Sequence, residues 1–151
     1  MITIESLKLD LSGLAARVAA FEKQQKRHTV TTVLGEIEAH DGEEYVGLIV
    51  SADGSKKHHL FLLPGERESI NWKDAKEWAK SIGGELPDRC EGALLFATMK
   101  DEFKSEAYWT REQHAAYSDC AWCQVFGRGG QGYGYIDGKL RARAVRRLEI
   151  Q

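Results

Sequence analysis

Residues 71–95, NWKDAKEWAKSIGGELPDRCEGALL, predict two short helices in the middle of the chain. Asn71 can begin the first helix, because an asparagine before the first turn accepts the backbone N–H of Asp74. Apolar residues then recur at helical spacing, which predicts that one face of this helix packs on a core. That face carries Trp72, Ala75, Trp78, Ala79 and Ile82.

The second helix follows the two glycines at residues 83–84, which end the first one. Asp88 is placed to cap it, and Glu91 stands three residues later. This spacing predicts a capping box, in which each side chain accepts the other residue's backbone N–H. The buried side of this helix is predicted to carry Cys90, Leu94, Leu95 and Met99.

Strand patterns lie on both sides of the two helices. Strands are predicted at residues 29–38, 45–51, 57–63, 107–111, 121–126 and 140–148. Residues 52–55, with Asp-Gly at their centre, predict a hairpin turn. Residues 127–134 contain five glycines and predict a loop. Together these segments predict an α+β domain of short antiparallel strands and two helices.

The N-terminal segment has a different period. Over residues 3–27 the apolar residues are separated by 3, 4, 3, 4 and 3 positions, the a/d spacing of a coiled coil. They are Ile4, Leu7, Leu11, Leu14, Val18 and Phe21. Because a lone helix with so narrow a stripe is marginal in water, we expect residues 1–28 to form an oligomerisation helix, as a dimer or trimer, before a domain at 29–151. Packing on that domain and docking to another protein remain open alternatives.

Composition excludes several classes of protein. The 151 residues carry a net charge of −2, which does not favour binding to nucleic acid or to an anionic membrane. No apolar run is long enough to span a bilayer, and the N-terminus has no signal-peptide pattern. Three cysteines are too few for a disulfide framework and favour a reducing compartment.

Several motifs occur in a characteristic order. They are the tryptophan-alanine helix, Gly83-Gly84-Glu85-Leu86-Pro87, Arg89 and Glu91, Leu94-Leu95, Tyr108-Trp109-Thr110, Ser118, Ala121-Trp122, Phe126, and the arginine-rich run at residues 141–146. In this order they resemble the domain family named after the C-terminal domain of a Legionella collagen-like adhesin, which occurs in bacteria and in phage and prophage genomes. The resemblance covers residues 62–148. It implies a C-type-lectin-like fold and a binding role without established catalysis.

This resemblance implies a phage- or prophage-encoded, non-enzymatic module that recognises a protein or glycan through its C-terminal loops. It would act in the host bacterial cytoplasm or on the virion. The alternative is an intracellular accessory protein that inhibits a host enzyme or defence complex by binding to it. Tail genes beside its own gene would favour the first function, and early genes would favour the second.

The candidate binding residues lie in two segments, 113–117 and 128–135, both predicted to be flexible loops. They are Tyr117, Arg128, Gln131, Tyr133 and Tyr135. Tyrosine and arginine are frequent anchors of protein interfaces, and glycine adapts the backbone around them. Solvated loop without a ligand is the competing interpretation.

No catalytic residue, metal or cofactor is predicted. Cys120 and Cys123 have CxxC spacing, and Cys90 with His114 is the only completion for a zinc site. On a strand, residues three apart face opposite sides, which argues against both zinc binding and redox chemistry. The tryptophans and arginines of the motifs are interpreted mainly as determinants of the fold, with Arg89 or Arg146 as the predicted ion-pair partner of Glu91.

Overall fold

A computed structural model describes residues 1–25 and 27–151, and it divides the chain into two compact units, Met1–Gly42 and Glu43–Gln151. The described residues form three α-helices, one short 3-10 helix and ten strands in three sheets. Nearly all strand pairs are antiparallel; the exception is a single parallel pairing in the largest sheet. This mixture confirms the predicted α+β class.

The first unit contains one helix and one hairpin: α1 (Ile4–Gln25), β1 (His28–Thr32) and β2 (Gly35–Ala39). The prediction of a single strand over residues 29–38 is wrong, because the chain reverses at residues 33–34 and β1 pairs with β2. Gly35 permits the reversal with a φ of 113°, and the Thr32 hydroxyl both accepts the Leu34 N–H and donates to the Gly35 carbonyl.

The a/d stripe of α1 is exposed wherever its side chains are described. Exposed fractions are 72% for Ile4, 49% for Leu7, 66% for Leu11, 54% for Leu14 and 47% for Val18. The side chain of Phe21, the last predicted contact, lies outside the described ones. Self-association through this stripe therefore stays a prediction.

The second unit has the remaining elements. They are β3 (Glu44–Val50), β4 (Lys57–Leu62), β5 (Arg67–Ile70), α2 (Trp72–Ser81), α3 (Arg89–Met99), the 3-10 helix Lys100–Glu102, β6 (Ala107–Gln113), β7 (Cys120–Val125), β8 (Gln131–Tyr135), β9 (Leu140–Ala142) and β10 (Val145–Ile150). The predicted hairpin between β3 and β4 is confirmed. Both predicted caps are confirmed as well: Asn71 accepts the N–H of Asp74, and Asp88 and Glu91 form a complete capping box.

These strands form two sheets, with the orders β10-β4-β3 and β5-β9-β6-β7-β8. One core cluster packs α2 and Leu86 against Trp109 and its neighbours on β7 and β9. The other packs Leu95 of α3 against β4, Tyr108 and Phe126. α3 lies between the two sheets, in contact with β3, β6 and β7, whereas α2 packs on β5 and β6 of the five-stranded sheet. The face of β7 and β8 that carries Trp122 and Tyr133, called the outer face below, is covered by α3 only in part, because Gln124 is buried there and Tyr133 is exposed.

The predicted strand at residues 140–148 is two strands in two different sheets. β9 joins the five-stranded sheet and β10 the three-stranded one, so the chain crosses between them at residues 143–144. The Ala144 carbonyl accepts the Leu63 N–H at 3.0 Å, and the Arg143 guanidinium donates to the Leu63 carbonyl at 2.7 Å. The local pattern predicts one strand, but hydrogen bonds to Leu63, which is remote in sequence, divide it into two.

Glu91, Arg147 and His58 form a buried ion cluster. Glu91 has no exposed surface, and it accepts from Arg147 Nε at 2.7 Å and from His58 Nε2 at 2.9 Å. The predicted partners of Glu91 are therefore wrong: Arg146 instead forms a bidentate pair with Glu43, at 2.7 and 2.8 Å. Consecutive residues of β10 face opposite sides, so only Arg147 points toward α3.

Candidate binding surface

The register of the β7–β8 hairpin places Trp122 directly opposite Tyr133. Directly opposite residues project from the same face of a sheet, with Cβ atoms about 4.5–5.5 Å apart. The two rings meet edge to face, with centroids 5.5 Å apart and planes 78° apart. The indole that the sequence assigned to the fold therefore also contributes to the outer face.

The alternating Gly-Tyr-Gly-Tyr sequence of β8 has a structural reason. Gly134 is on the inner face, where an added Cβ would be 3.6 Å from the buried Trp109 ring, and Gly132 lies beside Cys123. Tyr133 and Tyr135, which alternate with these glycines, point outward and are 51% and 65% exposed. The predicted loop over residues 127–134 is thus partly wrong, because its second half is a regular strand with glycine inside and tyrosine outside.

His114 lies at the centre of the exposed rings. It stacks on Trp122 with centroids 4.8 Å apart, and its centroid is 4.5 Å from Tyr133 and 4.7 Å from Tyr117. Its Nδ1 atom accepts two backbone N–H groups, from Ala116 and Tyr117, each at 3.1 Å. These bonds fix the orientation of the ring and leave its own N–H on Nε2.

Arg89, at the start of α3, lies against the same indole. Its guanidinium carbon is 3.7 Å from the Trp122 ring centroid, within the range of a cation–π contact. Its Nε donates to the Gln131 side-chain oxygen at 2.9 Å, and the Gln131 amide donates to the Arg89 carbonyl and to buried Gln124. These hydrogen bonds of the two glutamine side chains hold the Arg89 guanidinium in place.

The five side chains of Arg89, His114, Tyr117, Trp122 and Tyr133 are called the aromatic surface below. Each of them contacts at least one other, through ring–ring or cation–π interactions. Because the rings are already ordered, a ligand that packs on them would lose little additional side-chain entropy. The surface offers exposed aromatic area from Tyr117 and Tyr133, together with their hydroxyl groups and the Arg89 guanidinium.

The predicted binding residues fall into two groups. Tyr117 and Tyr133 belong to the aromatic surface, with ring centroids 5.7 Å apart, and Gln131 contacts it through Arg89. Tyr135 is exposed on the same strand face opposite Cys120, whereas Arg128 lies in the exposed turn between β7 and β8. The described contacts therefore bring three of the five together.

Sequence reasoning missed Arg89, His114 and Trp122 as members of this surface. Strand alternation could have identified Trp122, because small inward residues on either side of it, Ala121 and Cys123, leave it facing out. No local pattern identifies Arg89, which is brought to the indole by the packing of α3.

The cysteines have the environment of weak nucleophiles. Cys120 and Cys123 are buried, Cys90 is exposed, and all three are free thiols. Burial raises the pKa of each thiol, and neighbouring carboxylates raise the pKa of Cys90 and Cys120 further. Within residues 1–25 and 27–151, no three His, Cys, Asp or Glu side chains are grouped to hold a metal ion.

A separate cleft lies elsewhere in the second unit. It has a volume of about 1210 Å³, and its lining includes charged residues of both signs from β4, β10 and the segment before α3. Much of this charge is already paired, because Arg111 and Arg147 both bond to Glu85. Several charged groups of the cleft are therefore already engaged in ion pairs within the chain, and the aromatic surface is the better candidate for binding.

Two further findings concern membranes and known proteins. Within the described part of the chain, no helix has the length and apolar character needed to cross a membrane. No family model matches the sequence, and no match was found among curated proteins.

Proposed function

We propose that this chain is a non-enzymatic binding module that recognises a protein or a glycan through its aromatic surface. The observation that carries the proposal is the exposure of Tyr117 and Tyr133, 53% and 51% of each residue, in a cluster already ordered by His114 and Trp122. Exposed, contiguous aromatic area on a soluble protein is characteristic of interaction sites.

The energetics of such a surface favour binding. A tyrosine that becomes buried contributes a large apolar area while its hydroxyl finds a hydrogen-bond partner. Residues of this type dominate the binding energy of many interfaces, where a few well-packed anchors outweigh the remaining contacts. Arg89 adds a positive charge at the border, which can select for an acceptor on the ligand.

A binding role without catalysis is supported by the state of the reactive groups. The pKa of each thiol is raised, which disfavours the thiolate needed for nucleophilic chemistry. The Nδ1 atom of His114 is occupied by two backbone N–H donors, so that nitrogen does not serve as a base.

Oligomerisation through α1 is part of the same proposal. The exposed a/d stripe is complementary to itself, and a second copy would remove it from water. Several aromatic surfaces on one particle would then turn weak individual contacts into avidity. The resemblance of residues 62–148 to a phage and prophage domain family agrees with a role in recognising a bacterial host.

Affinity capture tests the proposal. The full-length protein is immobilised and exposed to lysate and cell-envelope fractions of the natural bacterial host. A Tyr117→Ala, Tyr133→Ala double variant is run beside it. Val50→Ala serves as the matched control, because Val50 is a comparably exposed apolar residue on β3, a strand of the other sheet.

A ligand retained by the wild type and Val50→Ala, and lost by the double variant, is the expected result. Retention of surface polysaccharide or an outer-surface protein would favour receptor recognition. One stoichiometric cytosolic protein would favour the intracellular inhibitor. A ligand retained equally by all three proteins would exclude the aromatic surface as the binding site.

A further inference from the structure

β8 is the last strand of the five-stranded sheet, with β7 as its only strand neighbour among the described residues. Its five residues, Gln131–Tyr135, are uncharged, contain no proline, and pair with β7 without any shift in register. Exposed edges with these properties are templates for pairing with another chain, and natural proteins normally protect them.

The hydrogen-bond pattern defines which backbone groups are available. Val125 N–H donates to the Gly130 carbonyl at 2.9 Å, and Ile136 N–H donates to the Asp119 carbonyl at 2.8 Å. Because hydrogen-bonded and non-hydrogen-bonded pairs alternate along an antiparallel ladder, Gly132 and Gly134 direct their backbone groups to β7. Residues 131, 133 and 135 direct theirs away from it.

Those outward groups are largely unpaired. Outside the strand ladders, no hydrogen bond of the described residues involves the Tyr133 N–H or carbonyl, whereas the Tyr135 carbonyl accepts the Gly138 N–H at 2.9 Å. Donors and acceptors that repeat at every second residue match the spacing of another extended strand. A glycan has no such repeat of amide groups.

The other sheet edges of the second unit are protected in ways that β8 is not. β3 has a bulge between Tyr45 and Gly47, and β10 carries three charged residues and forms an isolated bridge to Glu85. β5 contains Arg67 and Glu68 and pairs irregularly with β9. The contrast indicates that the open edge of β8 has a use.

We propose that the partner binds as an extended protein segment that adds a strand to β8. This inference rests on the proposed function and identifies its ligand as a protein, not a glycan. Alternate side chains of the segment pack on Tyr133 and Tyr135, so they are apolar or aromatic, while the backbone pairs with residues 131, 133 and 135. The segment is uncharged where it crosses the strand, because β8 has no charge to pair with.

Two variants at one position separate the backbone from the ring. Tyr133→Ala removes the ring and keeps the outward N–H, whereas Tyr133→Pro removes both. Proline is tolerated here because the lost N–H points away from β7. Binders are selected from a random library of 12-residue peptides on the immobilised full-length protein, and their affinities for wild type and both variants are measured.

Strand addition predicts that Tyr133→Pro binds the selected peptides about tenfold more weakly than Tyr133→Ala, because a backbone hydrogen bond is lost in addition to the ring. Hydrogen exchange of the wild type provides a second measurement that needs no variant to fold. The Tyr133 amide should exchange quickly in the free protein and at least about tenfold more slowly with peptide bound, whereas the Gly132 amide is slow in both states.

The outcomes separate this inference from the proposed function. Equal affinity of the alanine and proline variants, both weaker than wild type, with no protection of the Tyr133 amide, would retain the aromatic surface and overturn strand addition. Failure to enrich any peptide would also overturn it. Peptides that bind all three proteins equally, without protecting that amide, would overturn both proposals. The same protection of the Tyr133 amide, if it appears without peptide as the protein concentration rises, would show that β8 pairs with a second copy of this chain. That result would overturn the proposal of a separate partner segment.

Discussion

The buried ion cluster and the aromatic surface invert the usual distribution of side chains. In the first, charged groups of Glu91 and Arg147 lie inside the second unit and are bonded to each other and to His58. In the second, apolar rings and unpaired backbone groups of β8 face the solvent. Both depart from the rule that apolar groups are inside and polar groups outside.

What distinguishes the two regions is whether each group has a partner within the chain. The carboxylate of Glu91 accepts from two other side chains and from the Asp88 N–H, so its burial is compensated. Tyr117 and Tyr133, by contrast, are each about half exposed to solvent. We infer that the first region stabilises the fold and the second is reserved for a partner, and the following predictions test that division.

Glu91→Ala is expected to have the largest effect, a loss of about 3 kcal/mol in the free energy of unfolding, because it leaves the partly buried Arg147 bonded only to Glu85 and the Leu86 carbonyl and removes the capping box of α3. Urea denaturation measures the loss. Glu77→Ala, on the exposed side of α2, is the control and should change stability by less than about 0.5 kcal/mol. Equal effects of the two variants would contradict the structural role of the cluster.

Gly129→Ala is expected to destabilise by about 2 kcal/mol. Gly129 has a φ of +82°, and an added Cβ would be 2.4 Å from the Phe96 ring. The neighbouring Gly130 has open space and no positive φ, so Gly130→Ala should be nearly neutral. Thermal denaturation compares the two, and similar melting temperatures would show that the turn between β7 and β8 does not require glycine.

Stability should fall as the pH is lowered from 7.5 to 5.5, because of His59. Burial, with the charge of His58, holds the pKa of His59 below its ordinary 6.5. The unfolded chain therefore binds more protons as the pH falls through this window, which favours unfolding. Urea midpoints at the two pH values measure the change. The fall should be smaller in His59→Gln; an unchanged pH dependence would assign it to other groups.

The pKa of Glu91 predicts a second loss of stability, at a more acidic pH. Burial alone would raise this pKa, but the bonds from Arg147 and the Asp88 N–H outweigh burial and lower it below 4.5. The stability from this group is therefore present above 4.5 and is lost as the pH falls through the lowered value. A comparison of midpoints at pH 5.5 and 3.5 in the wild type and in His59→Gln should show this loss in both.

Tyr133→Ala is expected to have the smallest effect on folding and a large one on binding. Because the ring is half exposed but packs on Trp122 and His114, its removal should change the free energy of unfolding by only about 1 kcal/mol. Affinity for the captured ligand should fall at least about tenfold, as for an interface anchor. A large loss of stability would make Tyr133 a structural residue and would remove the difference between the two regions.

The sequence predicted local structure well where caps and turns have short-range chemistry. The Asn71 and Asp88 caps and the turn at residues 52–55 are all confirmed. It failed where long-range pairing decides, as in the division of residues 140–148 between two sheets. It also selected Tyr117 and Tyr133 for the candidate binding surface by residue type, but it could not identify Arg89, which tertiary packing brings to Trp122.

The sequence by itself determined the α+β class, the two capped helices and the a/d spacing of α1, because these depend on spacing and on hydrogen bonds between near neighbours. Only the tertiary structure decided that Arg147 is the partner of Glu91 and that Gly132 and Gly134 turn inward. It also decided that β8 ends its sheet. The physical reason is that strand order, register and ion pairing join residues far apart in the chain, which no local pattern encodes.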